Sequence, residues 1–311
     1  MSTYAVRATL RPLAERTDYR KPSRFREAGV VVALIGLMIA AVVLIANIVV
    51  ADDSATERAE TTAWTFGLGT TAFATVKIGI ALVLVGIISR LWLRVESVKA
   101  SLPLLKPEAQ ANGDQVGDID TPYGPATATR TAPKPLFIHK MAERLWAPMI
   151  VMGPMVVVAG LVLSFVQSGE SNPETFTDLA AVVQGGQFLG EAFILGGISF
   201  LLGTILSSLR RGGGEVQEAL GVTVKTLKFP TSAKAFVGLM VIGMMVAMVQ
   251  FVLYLVAAGS STPEEWFAWL GPVREFSLGL LLLGVVLALY TIGTVLGFQF
   301  DRLRQIVTTG R

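Results

Sequence analysis

The sequence predicts an all-α fold: a polytopic membrane protein with six transmembrane helices. The first observation is that six long apolar runs, almost free of charge, recur along the 311 residues. A helix rises about 1.5 Å per residue, so about 20 apolar residues cross a hydrocarbon core of about 30 Å. Only 16% of the residues are charged, which is low for a soluble domain. The predicted spans are residues 28–50, 66–89, 148–167, 188–209, 235–258 and 276–299.

The second observation is the placement of the basic residues. All but three of the 26 Lys and Arg residues lie in four segments that alternate with acidic connections: the N-terminus, residues 90–147, residues 210–234 and the C-terminal tail. Lys and Arg are retained on the cytoplasmic side of membrane proteins. The pattern therefore predicts that both termini are cytoplasmic (N-in/C-in). The basic residues would contact anionic lipid, and nothing in this pattern indicates nucleic acid as a partner.

The first apolar run predicts an anchor that stays in the mature protein. It is longer than the roughly 7–15 apolar residues of a signal peptide, and the leader before it is long. A chain rich in Ala, Gly and Val favours a bacterial inner (plasma) membrane by composition. We therefore expect a multi-pass protein of that membrane, with the lipid bilayer as its solvent.

The spans group into three helical hairpins, because short acidic connections join them in pairs. The second spans of the hairpins contain similar stretches that begin at Lys77, Glu191 and Glu275, so a threefold repeat is one interpretation and shared apolar composition the other. The predicted segments are a basic cytoplasmic N-terminus at 1–27; hairpin 1 at 28–106, with an amphipathic extension at 90–106; a mobile cytoplasmic loop at 107–135; an interfacial helix, hairpin 2 and a cytoplasmic extension at 136–229; and hairpin 3 with the C-terminal tail at 230–311.

The sequence also predicts the local structure of the cytoplasmic segments. Val216, Leu220, Val224 and Leu227 recur at helical spacing, which predicts a short amphipathic cytoplasmic helix beyond the fourth span. A similar helix is expected at 90–106. The segment 107–135 is rich in Pro, Gly, Thr and acidic residues, which predicts a loop without a hydrophobic core.

Lys77 is the residue most indicative of a functional site. It lies thirteen residues from both Trp64 and Arg90, so about 20 Å from each end of its helix. A lysine at that depth costs roughly 2.5–3.5 kcal/mol on insertion scales, so it must be paired, neutral or hydrated. Glu191 is the candidate partner, since it falls within reach of a lysine that extends outward. The pair predicts an ion or proton pathway, a salt bridge that fixes helix packing, or a bridge to another subunit.

Polar residues at the outer ends of the later spans are weaker candidates. Gln184 and Gln187 flank a Gly-Gly pair before the fourth span, and Arg274 and Glu275 open the sixth. They could line an outer vestibule. An acid in the first turn of a helix also meets the helix dipole favourably, so capping is the alternative for Glu275.

Glycines spaced four residues apart predict close helix packing. The pairs are Gly186 with Gly190 and Gly293 with Gly297. Small residues at this spacing allow two helix backbones to approach, although the motif is common in membrane helices.

The composition excludes several classes of site. The chain has no Cys and a single His, His139, which is expected to be solvated at the membrane interface. Thiolate metal sites and iron–sulfur clusters are therefore excluded, and a multi-His metal site within one chain is disfavoured. We expect no cofactor, no metal and no catalytic residue.

Two functions fit these features. The first is a non-catalytic integral membrane subunit that scaffolds or anchors a larger membrane assembly, with other membrane subunits or further copies of the chain as partners. The alternative is an ion or small-solute channel or transporter, as a single chain or a homo-oligomer, with Lys77 and Glu191 beside its pathway. Transporters usually show broken helices or clustered polar residues near the midplane, and this chain shows little of either beyond Lys77.

Overall fold

The computed structural model describes residues 24–49, 55–101 and 116–309 of the chain. Within these ranges six helices and one small three-stranded sheet form a predominantly helical fold. The helices are α1 (Arg24–Val49), α2 (Ala55–Ser101), α3 (Phe137–Ser168), α4 (Pro173–Ala219), α5 (Thr231–Ala258) and α6 (Pro263–Thr309). The strands are β1 (Gly117–Thr121), β2 (Gly124–Thr129) and β3 (Val224–Leu227).

All six helices are long and apolar enough to cross a bilayer, which confirms the predicted number and indicates a multi-pass membrane protein. The even-numbered helices are longer than this role requires. Each of α2, α4 and α6 has 47 residues, which at helical rise is about 70 Å, or more than twice the thickness of the hydrocarbon core. These helices therefore extend beyond the membrane as helix.

The central helix of the bundle is α4. It packs against α2, α3, α5 and α6, whereas α1 packs on α2. In the most apolar stretch of α4, 72% of the residues are buried, compared with 11% in α1. The outer helices expose large apolar side chains, such as Leu37, Met245 and Phe276, each more than 60% exposed. Such a surface suits lipid rather than water as the solvent.

The predicted glycine pairs contribute unequally to packing. Gly190 lies against α3, where an added β-carbon would meet the backbone. Gly186 and Gly293 have open space beside them, since no atom lies within 4 Å of an added β-carbon. Gly297 lies beneath the ring of Tyr123, from the turn between β1 and β2, and not against another helix. One residue of each predicted pair therefore makes a close contact.

The segment 107–135 differs from the expectation of a loop without a core. Strands β1 and β2 form an antiparallel hairpin within it, and β2 pairs in turn with β3, with Ala126 opposite Leu227 and Ala128 opposite Lys225. Ala126 and Ala128 are fully buried. The prediction was wrong for residues 117–129, because a partner strand about 95 residues away supplies the hydrogen bonds and the cover that the segment lacks by itself. Residues 107–115 lie outside the described part of the chain.

The predicted amphipathic helix through Leu227 was also wrong beyond Ala219. Helix α4 ends at Ala219, and Gly221 adopts a positive φ of 73°, a left-handed conformation that glycine takes at little cost. The next residues form β3, in which Val224 and Leu227 are buried. For the other extension, α2 continues as helix to Ser101, and residues 102–106 are not among those described.

A buried glutamine attaches the sheet to α4. The Gln217 side chain accepts a hydrogen bond from the backbone N–H of Lys225 at 2.9 Å and donates one to the Lys225 carbonyl at 3.2 Å. Both backbone polar groups of Lys225 are therefore bound by one side chain. Arg302 of α6 also donates to the same side-chain oxygen at 3.2 Å. We call the end of the bundle that carries the sheet the sheet end, and the opposite end, where residues 169–172 and 259–262 connect helices, the loop end.

Candidate functional site

Three charged side chains from three helices meet inside the bundle. Lys77 Nζ of α2 lies 2.9 Å from Glu191 Oε1 of α4. Arg274 Nη2 of α6 lies 3.7 Å from the other oxygen, Glu191 Oε2. Each carboxylate oxygen of Glu191 therefore faces one cation, and we call these three residues the charged cluster.

The cluster is shielded by the packing of α4. The side chain of Glu191 is 4% exposed, and those of Lys77 and Arg274 are 17% and 15% exposed. Charges in such surroundings lose most of their hydration, and only opposite charges in good geometry repay that loss. Lys77 finds its partner within the same chain, so a bridge to another subunit is not needed to compensate its charge.

An aromatic ring supports the arginine of the cluster. The guanidinium carbon of Arg274 lies 5.3 Å from the centre of the Phe66 ring on α2. A cation over an aromatic face gains roughly 0.5–2 kcal/mol, depending on how far it is desolvated. Arg274 Nε is nevertheless buried without a hydrogen-bond partner among the described residues. The guanidinium therefore keeps unused donor capacity inside the bundle.

The charges of the cluster do not balance. Two cations, Lys77 and Arg274, share the single carboxylate of Glu191. Glu275, the neighbour of Arg274 in sequence, is exposed. An excess positive charge inside an apolar bundle favours the approach of an anion or of further polar groups.

Gln187 lies one helical turn from Glu191 and is fully buried. Its amide nitrogen donates to the Gly67 carbonyl of α2 at 3.2 Å, and its side chain packs on Gly160 of α3. Its amide oxygen has no hydrogen-bond partner among the described residues. Gln187 was expected to line an open vestibule, but close contact with two glycines places it in the interior. Gln184 is half-buried.

Arg274 is the member of the cluster that sequence reasoning assigned elsewhere, to the loop-end surface. Its side chain instead reaches into the bundle to Glu191. A signal was present in the sequence: Lys77, Glu191 and Glu275 begin the similar stretches of the even-numbered spans, and Arg274 immediately precedes the third.

His139 also differs from its expectation. It is 7% exposed at the start of α3 rather than solvated. Burial follows from the packing of α3 along α4, which extends past the apolar stretch toward the sheet end. This residue lines a small cavity at the sheet end, apart from the charged cluster.

No family model, curated protein or solved structure matches this chain. The arrangement of the charged cluster is therefore interpreted by its chemistry alone. It can hold three helices together, and it can offer a cationic surface inside the bundle.

Proposed function

We propose that this chain is a non-catalytic integral membrane subunit that scaffolds or anchors a larger membrane assembly. In this proposal the six helices form three hairpins in a cell inner membrane, with both termini cytoplasmic. The observation that supports it is the charged cluster, which takes one residue from each proposed hairpin: Lys77 from the first, Glu191 from the second and Arg274 from the third.

Such a cluster would fix the positions of the helices relative to one another, and a scaffold requires a fixed arrangement. Removing the carboxylate that two buried cations share costs about 3–5 kcal/mol, because both cations then stay uncompensated. Small apolar contacts between helices in lipid do not by themselves provide a comparable penalty against sliding or rotation. The cluster would therefore hold the three hairpins in one register, and their apolar outer faces would meet lipid and partner subunits.

The test is purification of the tagged chain from its native membrane in mild detergent. We expect partner proteins in stoichiometric amounts with the unchanged chain, and loss of those partners or of the chain itself in Glu191→Gln, which leaves Lys77 and Arg274 without a carboxylate. Glu275→Gln is the matched control, since Glu275 is exposed. A chain that purifies alone, with its stability unchanged in Glu191→Gln, would contradict the scaffold.

The excess positive charge of the cluster favours a second candidate, an ion or small-solute channel or transporter. Two cations, one carboxylate and the unpartnered oxygen of Gln187 form a polar interior that a solute or water could occupy. Reconstituted vesicles can test this function. We expect anion flux that falls in Lys77→Met and in Arg274→Gln but persists in Lys234→Met, with all three variants remaining monodisperse. Absence of flux from the unchanged chain would contradict transport of those anions.

A further inference from the structure

A cavity lies at the sheet end, between α3, α4, α5, α6 and the residues that follow β3. Its volume is about 40 Å³. Most of its lining is apolar, including the rings of Phe229 and Phe298, and two of its lining residues, Arg210 of α4 and His139 of α3, can carry positive charge. A space of this size holds only a few water molecules, so it suits a small polar group and not a whole lipid.

Arg210 carries a charge that its surroundings do not compensate. Its Nε is buried and has no hydrogen-bond partner among the described residues. The lining of the cavity contains no Asp or Glu. The adjacent Arg211 shows the contrast, since its Nε donates to Glu215 Oε1 at 2.6 Å. A guanidinium next to an apolar cavity without a carboxylate favours binding of an anion, and its planar donors match phosphate oxygens.

His139 adds a second donor to the same cavity. Its Nδ1 accepts the backbone N–H of Leu136 at 3.4 Å. A neutral imidazole that accepts at Nδ1 carries its proton at Nε2. The side chain is therefore held at the start of α3 by its own helix end, and the remaining ring nitrogen is a donor.

We propose that this cavity binds the phosphate of an anionic phospholipid from the membrane leaflet at the sheet end. The Arg210 guanidinium and the His139 Nε2–H would donate to the phosphate oxygens, and only the phosphate and its ester carbons would enter a cavity of this size. A phospholipid fits better than free phosphate, because a hydrated dianion gains nothing from walls formed by phenylalanine. Exposed Lys140 and Lys234, each next in sequence to a lining residue, would add long-range attraction to an anionic leaflet.

The test uses the full chain purified in a neutral detergent and measures lipid binding by native mass spectrometry and by thermal shift. We expect phosphatidylglycerol to bind and to raise the unfolding temperature, and phosphatidylcholine and inorganic phosphate to do neither. Arg210→Gln should weaken phosphatidylglycerol binding by roughly tenfold or more, because it removes a charged donor. Arg211→Gln, the matched control, should stay within about twofold of the unchanged chain.

Equal binding by Arg210→Gln and the unchanged chain would overturn the proposal. Binding of inorganic phosphate without binding of phosphatidylglycerol would show that the bound phosphate does not come from a lipid. If Arg210→Gln does not fold, photo-crosslinking of the unchanged chain with a phosphatidylglycerol that carries a diazirine near its headgroup decides the matter. We expect the label on peptides that contain Arg210 or Phe229. A label distribution identical to that of a phosphatidylcholine probe would contradict the site.

Discussion

The phenol of Tyr123 donates a hydrogen bond of 2.6 Å to Asp301 Oδ2. This contact joins the turn between β1 and β2 to the last turns of α6, which lie 178 residues further along the chain. The ring covers Gly297, where a β-carbon would lie 2.8 Å from the ring edge. It also meets Phe298 edge to face, with ring centres 6.3 Å apart. One aromatic side chain of the sheet therefore makes three separate contacts with α6.

Tyr123→Phe should loosen the sheet from α6 without removing the ring contacts. The hydrogen bond to Asp301 raises the pKa of Tyr123 above its usual value of 10, with smaller contributions from burial and from the Asp301 charge. The hydrogen bond therefore contributes to stability below pH 10, and this contribution is lost as pH rises through the higher pKa of the folded protein. The measurement is an ultraviolet titration, in which the difference between the unchanged chain and Tyr123→Phe should have its midpoint above pH 10. Tyr290→Phe, at a 67% exposed position, is the control that should leave this transition in place.

The imbalance of the charged cluster predicts an order of stability among its variants. Glu191→Gln leaves Lys77 and Arg274 together without a carboxylate, which we expect to cost about 3–5 kcal/mol. Arg274→Gln leaves the Lys77–Glu191 pair neutral overall and loses mainly the contact with Phe66, worth about 1–2 kcal/mol. Unfolding in detergent, followed by temperature or denaturant, should rank Glu191→Gln as clearly the less stable. The opposite order would show that the cluster is not compensated as its geometry indicates.

The contact between α3 and α4 predicts that the stability of the protein depends on glycine at position 190. A β-carbon on Gly190 would lie 2.8 Å from the Gly153 carbonyl oxygen, and the reverse distance is also 2.8 Å. Gly190→Ala must therefore push two helix backbones apart, which typically costs about 1–3 kcal/mol. Gly293→Ala is the matched control, since nothing lies within 4 Å of its added carbon. We expect that variant to unfold within about 0.5 kcal/mol of the unchanged chain, and equal effects of the two substitutions would contradict this packing.

The proposed orientation can be tested with single cysteines, because the chain contains none. Ser171 lies in the connection at the loop end and Asp120 in β1 at the sheet end, and both are exposed. We expect a membrane-impermeant maleimide to label Ser171→Cys on intact cells and Asp120→Cys only after the membrane is opened. Labelling of Asp120→Cys from outside would reverse the orientation and would place the proposed lipid site in the other leaflet.

Sequence reasoning was sufficient for the spans and for the depth of charged residues within them. The six spans follow from the length of their apolar runs. The pairing of Lys77 with Glu191 was suggested by counting residues from the span ends, because helical rise converts sequence separation into depth. These features depend on helix geometry and on the cost of charge in lipid, which local sequence determines.

Two features that depend on distant partners were missed, namely strand β3 and the contact of Arg274 with Glu191. Strand β3 contains Val224 and Leu227 at a spacing that also suits a helix, and the choice is made by Gly221 and by pairing with β2. A sequence signal existed in the alternation of Val and Thr after Gly221, which favours a strand. Arg274 was placed at the surface because its residue type and position at a span end suit an interface, whereas Glu191 binds it from another helix.

The three-stranded sheet constrains how the protein is made. Val224 is synthesised 95 residues after Thr129, its partner in β2. At about 5–20 residues per second, roughly 5–20 s pass between the two events, and both helices α3 and α4 must be inserted in that time. Until then the backbone groups along the outer edge of β2 have no partner strand, and such an unpaired edge can pair with another chain. Closing of that edge by β3 would mark the moment at which the middle of the chain has been threaded correctly.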